Sequence, residues 1–216
     1  MTVFDYADGE LQRRFVHVSG TGLPLLYLLD FVTWAEFGWV MIVASGVAAV
    51  LEFVRLVVGL DWAVYDRLTR PYEQTNVAGY ALYMFSITGV VLVFVPHIAV
   101  PATLMLTVGD PISGLLGTTR GADESKRPRT LGAMFAVCLA VSVLFLLPVA
   151  GVAVGVAAAV AAALGASAAD GRKPVIAGYV IDDNLSIPPV AAVAAASVLA
   201  VAGGVPVFSD TVPGVV

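Results

Sequence analysis

Cysteine is nearly absent. Cys138 is the only one and sits inside an apolar run, which excludes a disulfide framework and a thiolate metal site and leaves the redox compartment undetermined. Charge is scarce as well, at 12% of 216 residues, and lysine is scarce beside arginine. A net charge of −5 and a sequence pI near 4.8 argue against nucleic acid as a partner. Soluble-enzyme signatures are also missing. There is no Gly-x-x-x-x-Gly-Lys-Ser/Thr phosphate loop, no kinase catalytic loop, no His-Glu-x-x-His and no Gly-x-Ser-x-Gly elbow. The first twenty residues carry Asp5, Asp8, Glu10, Arg13, Arg14 and His17 without an apolar core, so no cleavable signal is evident and the amino terminus is expected to stay.

What fills the chain is apolar. A hydrophobic fraction of 59% and a mean hydropathy of +0.93 are far from those of a soluble domain. The expectation is an all-α polytopic transmembrane bundle of about seven spans: residues 19–34, 38–58, 79–95, 98–116, 130–148, 152–169 and 187–208. The first is short and open to a re-entrant reading. The sixth, rich in Ala, Gly and Val, suits close helix packing. A polar arm (1–18) precedes one integral domain (19–208), and a short tail (209–216) follows it.

If seven helices alternate, all eleven cations fall on one side. They are Arg13 and Arg14; Arg55, Arg67 and Arg70; Arg120, Lys126, Arg127 and Arg129; and Arg172 and Lys173. The positive-inside rule then makes that side and the amino terminus cytoplasmic, with the carboxy terminus outside.

The same side collects the polar residues that are hard to explain as loop filler. Asp110 ends an apolar run and is followed by glycines and four cations. A carboxylate at membrane depth costs roughly 2.5–3.5 kcal/mol on insertion scales. With Gly109, Gly114 and Gly117 leaving backbone amides accessible, the segment 109–130 suits a phosphate cradle around a metal, or more simply a capped, solvated loop. Asp182-Asp183-Asn184, followed by Pro188 and Pro189, reads either as a turn or as a divalent-ion site at a helix mouth. Arg14 and His17 share a face, as do Glu52 and Arg55. The first pair suits lipid-phosphate anchoring or a site, the second an intrahelical ion pair or a catalytic role.

These segments resemble the polyprenol kinase family, the dolichol, phytol and CTP-dependent diacylglycerol kinases, within the wider superfamily that includes phosphatidate cytidylyltransferases. The resemblance rests on Arg13-Arg14-Phe15-Val16-His17-Val18-Ser19-Gly20, on Glu52 and Arg55 as Glu-x-x-Arg, on Gly109-Asp110 to Gly117 and Gly121, and on Asp182-Asp183-Asn184-Leu185-Ser186-Ile187-Pro188 as the Asp-Asn-Leu-Thr-(Ile/Val)-Pro box. Where the family has Lys-(Ser/Thr)-x-Glu-Gly, this chain has Arg129-Thr130-Leu131-Gly132-Ala133. The His-Gly-Gly and Asp-Arg-x-Asp signature of a phosphatidate cytidylyltransferase is missing, which favours kinase over nucleotidyl transfer.

The resemblance implies CTP-dependent phosphorylation of a membrane isoprenoid alcohol at the cytoplasmic face. The alternatives are a cytidylyltransferase-like enzyme making a CDP-activated lipid and a non-enzymatic transporter or scaffold whose intramembrane carboxylates line a path. Asp110, Asp183 and His17 are then the expected catalytic residues. Asp110, Asp182 and Asp183 are expected to hold Mg²⁺, and Arg14, Gly109, Gly117, Lys126, Arg129 and Asn184 to contact the nucleotide. The expected partners are the lipid alcohol and the nucleotide. The lipid's identity, and whether copies associate, stay open.

Overall fold

The computed structural model describes residues 17–59, 62, 69, 73–116, 126–176 and 179–210. Arg14 and Gly117 lie outside the described residues, as do Arg13, Arg67, Arg70, Arg120, Gly121 and the tail beyond 210. The described chain is almost wholly helical, in line with the all-α expectation. Its elements are α1 (Gly22–Leu28), α2 (Trp34–Val58), α3 (Gly79–Val93), α4 (Pro96–Leu116), α5 (128–150), α6 (152–171), a two-residue hairpin of β1 (Val175–Ile176) and β2 (Tyr179–Val180), and α7 (Asp183–Ala202).

Among the described residues four helices are long and apolar enough to cross a membrane: Trp34–Val58, Pro96–Leu116, Pro128–Gly171 and Asp183–Ala202. The third, straight, would measure about 66 Å, roughly twice a bilayer core. It is not straight. Gly151 takes φ 72°, ψ 174° and turns the chain back on itself, so that Lys126 N donates to Gly171 O at 3.2 Å across the two far ends. A Cβ on Gly155 would lie 2.8 Å from Leu146 O and Leu147 Cα. Only glycine lets the arms of this hairpin approach so closely.

Contacts sort the remaining ends into two groups. At one end Trp34 Nε1 donates to Ser209 Oγ at 3.1 Å, Phe94 stacks on Phe208, and Val95 N and Ser209 N bond to Val207 O and Val93 O. His97 Nε2 donates to Pro206 O there as well. At the other end lie His17, Glu52, Arg55, Asp110, Lys126, Asp170, Lys173 and Asp183. Successive segments therefore run in alternating directions between an aromatic end and an acidic end.

Local sequence explains the boundaries. Thr33 and Glu36 form a capping box that starts α2 at Trp34, four residues earlier than the apolar run suggests. The segment expected as one span over 19–34 is instead a seven-residue α1 followed by a turn, where Asp30 takes φ 57°. It still carries the chain from His17 at the acidic end to Trp34 at the aromatic end. The last helix begins at Asp183 rather than Ile187, because the Asp182 side chain accepts from Asn184 N and caps it. Pro188 removes the amide that would bond to Asn184 O, and Ser86 Oγ on α3 replaces it at 2.6 Å.

Packing follows side-chain size. The small face of α6 (Ala158, Ala159, Ala162, Ala163, Ala166) is buried, and α7 buries Ala191, Ala192, Ala195 and Ala196. The α5–α6 hairpin makes its most extensive contact with α7, and Gly165 lies close against Val190 O and Ala194. The outside is apolar too: Leu144, Val152 and Val201 are 72%, 74% and 90% exposed, an exterior suited to lipid rather than water.

Candidate metal and phosphate site

The acidic end gathers carboxylates from three separate elements. α4 widens into a π turn over Met105–Gly109 immediately before Asp110. Gly109 was expected to leave an amide open to phosphate. It is instead buried, and a Cβ there would sit 3.0 Å from Met134 Sδ and 3.2 Å from Cys138 Sγ. Its glycine serves the close packing of α4 on α5. Asp110 itself faces His17, whose Nδ1 lies 3.6 Å from Oδ2, and Lys126, whose Nζ lies 3.5 Å from Oδ1.

Asp170 comes from the last turn of α6 and is 1% exposed. It accepts from Ser113 Oγ at 2.7 Å and from Lys126 Nζ at 2.5 Å. Ser113 lies three residues after Asp110, on the same face of α4, and also accepts from Lys126 at 3.2 Å.

The third carboxylate is Asp183, in the first turn of α7, where the helix dipole favours negative charge. Lys173 Nζ lies 3.0 Å from both Asp183 Oδ2 and Asp182 Oδ2. Asp182 spends its other oxygen on Asn184 N and Asn184 Nδ2.

One oxygen each from Asp110, Asp170 and Asp183 lie within 4.8 Å of one another. Buried carboxylates repel and lose solvation, so a cluster of this kind requires compensating cations. Four aspartates face two lysines here, which leaves two negative charges over. Burial works against the Lys126 ammonium, but Asp110, Asp170 and Asp183 outweigh it and hold its pKa above the ordinary lysine range. Burial, and after it the charge of Asp182, push the Tyr179 phenol up on β2.

No family model, no curated protein and no solved structure matches the chain. The chemistry of the site is therefore argued from its own donors. Carboxylate oxygens are hard ligands of the kind Mg²⁺ and Ca²⁺ take. In the residue after Asp183, Asn184, which is only 3% exposed, Oδ1 is buried with no hydrogen-bond partner. A buried carbonyl oxygen without a donor fits a cation or an incoming donor, so the residues present fit a divalent ion.

Of the residues expected from sequence, Asp110, Asp183, Asp182, Asn184, Lys126 and His17 are brought together. Asp182 is committed to capping α7 and to Lys173, and Asp170 takes its place in the converging triad. Arg129, in the first turn of α5, is exposed and takes no part in this polar network among the described residues. Glu52 and Arg55 form the ion pair expected of them, at 2.7 Å. They also do more: Arg55 donates to the carbonyls of Glu73, Gln74 and Asn76, while Glu52 accepts from Ala78 N. This clamp fixes the entry to α3, where a Cβ on Gly79 would press on Asn184 Nδ2 at 2.9 Å. The pair positions the site from behind.

His17 is placed by Tyr83, whose ring tilts against the imidazole with centroids 5.0 Å apart. Tyr83 lies so close to Gly20 that any Cβ there would collide with its hydroxyl. The glycine three residues after His17 is thus needed for that contact. Sequence reasoning missed Asp170, Ser113 and Lys173. A signal for Asp170 existed: like Asp110, it ends an apolar run at the cation-rich side.

Proposed function

We propose that the protein is a membrane phosphotransferase that moves the terminal phosphoryl group of a nucleoside triphosphate onto a lipid alcohol at the acidic end of the bundle. The observation that carries this reading is the convergence of Asp110, Asp170 and Asp183 from α4, α6 and α7, with Lys126 and Lys173 beside them, on one end of an apolar bundle. Seven alternating segments support seven spans, with the acidic end and its cations in the cytoplasm by the positive-inside rule. The resemblance noted in the sequence supplies CTP as the donor and an isoprenoid alcohol as the acceptor.

Phosphoryl transfer is mostly positioning plus neutralisation of phosphate charge. Asp110, Asp170 and Asp183 would hold Mg²⁺, and the unpartnered Asn184 Oδ1 follows Asp183 in sequence. When bound, that ion neutralises charge on the transferred phosphoryl and its leaving group. Lys126 and Lys173, which lie against these carboxylates, would contact phosphate oxygens. The lipid hydroxyl comes from the bilayer to the level of Asp110 and His17. As its oxygen bonds to phosphorus, the bond to the leaving nucleoside diphosphate breaks, and the hydroxyl proton passes to the Asp110 carboxylate or the His17 imidazole.

The test uses membranes containing the protein, a panel of lipid alcohols, and CTP labelled at the γ- or the α-phosphate. Label in the lipid from γ-CTP, reduced at least tenfold (about 1.4 kcal/mol in barrier) by Asp110→Asn, is the expected result. Label from α-CTP instead would mean nucleotidyl transfer, and label from neither would refute the proposal.

A further inference from the structure

The chain has only two lysines beside nine arginines. Both lysines end in the acidic cluster, although they stand far apart in sequence and on different connecting segments. Each touches two carboxylates: Lys126 has Asp170 at 2.5 Å and Asp110 at 3.5 Å, and Lys173 has Asp182 and Asp183 at 3.0 Å. Every member of the converging triad therefore has an ammonium group against it.

Residue type matters here. An arginine fork locks onto a carboxylate in a fixed bidentate plane, whereas an ammonium is a compact charge with three rotatable donors on a flexible stem. Lys126 lies two residues before α5 and Lys173 between α6 and β1, so neither stem is packed within a helix interior. The charge balance bears on the same point. Two negative charges remain after the lysines are counted, which one divalent cation neutralises. A divalent ion on the triad draws on the same carboxylate oxygens that hold the lysines, and a polyphosphate brought by that ion offers the ammonium groups new anionic oxygens.

We propose that Lys126 and Lys173 are exchangeable place-holders: they bind the acidic triad in the resting site and pass to phosphate oxygens when a metal-bound polyphosphate arrives. This makes Lys173 a second polyphosphate-binding residue beside Lys126. It rests on the phosphotransferase reading above. It also sets apart two roles that an ordinary ion pair would not separate, because a place-holding lysine competes with the metal while it assists the polyphosphate.

The experiment measures Mn²⁺ binding by electron paramagnetic resonance, and CTP binding by calorimetry at saturating Mn²⁺, on detergent-purified wild type, Lys173→Gln and Lys173→Arg. Lys173→Gln is expected to bind Mn²⁺ at least about threefold tighter, because a competing charge is gone, and CTP at least about tenfold more weakly, because a charge-assisted bond is lost. Lys173→Arg is expected to keep CTP affinity closer to wild type than Lys173→Gln does. Where Lys173→Gln does not elute as wild type does, Lys126→Gln is read in its place with the same expected signs. Mn²⁺ affinity unchanged or weakened, or CTP affinity unchanged, overturns the exchange. A wild type that binds both Mn²⁺ and CTP with no such response overturns this inference alone, whereas a wild type that binds neither overturns the phosphotransferase reading with it.

Discussion

Replacing Asp170 by asparagine separates the two duties of that carboxylate, holding Lys126 and completing the triad. Asparagine keeps the shape and one acceptor oxygen for Ser113, which now lies 2.7 Å from Oδ2, but removes the charge opposite Lys126 at 2.5 Å. Breaking a buried ion pair costs about 3–5 kcal/mol when the remaining charge is stranded. Lys126 is not stranded, since Asp110 remains 3.5 Å away and a quarter of its side chain, 25%, is exposed. The expected loss of stability is therefore smaller, about 1–3 kcal/mol. The effect on metal binding should be larger. Outer partners of a metal site typically cost 10–100-fold in affinity, and a direct ligand should exceed the lower end of that range. Thermal unfolding with a chelator present reads the first quantity, and titration with Mn²⁺ followed by paramagnetic resonance reads the second. Mn²⁺ affinity within about twofold of wild type would refute Asp170 as a ligand, and a complete loss in Asp182→Asn under the same conditions would return Asp182 to the set.

Two further outcomes follow from other parts of the bundle. Ser86→Ala leaves Asn184 O without the donor that Pro188 cannot supply, and should cost about 1–3 kcal/mol in unfolding experiments; an unchanged melting temperature would show that the carbonyl finds another partner. In a Cys138→Ser background, Arg129→Cys should react with a membrane-impermeant maleimide only in inside-out vesicles and Ser209→Cys only in right-side-out ones, since the two positions lie at opposite ends. Equal labelling from one side would overturn the alternating topology.

Much of this architecture is legible in the amino-acid sequence, and for definite reasons. Apolar runs mark α2 to α7, and the break after Pro148 falls within three residues of the turn at Gly151. With the spans alternating and all eleven cations on one side, Asp110, Lys126 and Asp183 fall at the same end. The rest depends on distances that spacing does not carry. Asp170 looks like the first residue of a loop until the last helical turn is seen to continue through Gly171. Asp182 and Asp183 are indistinguishable as neighbours in a sequence, yet one caps the helix and the other joins the triad. Gly109 reads as an open amide, and only the sulfur atoms of Met134 and Cys138 against it reveal a packing role. Arg129 has the right charge near the right place, but it is exposed and stands outside the polar network of the described residues.

The central claim is that three carboxylates from three helices make one cation site. Its most direct measurement is the anomalous difference map of crystals grown with Mn²⁺. The expected result is one peak per chain in contact with carboxylate oxygens of Asp110, Asp170 and Asp183. A peak held elsewhere, or held by Asp182 with Asp170 still bonded to Lys126, would contradict it.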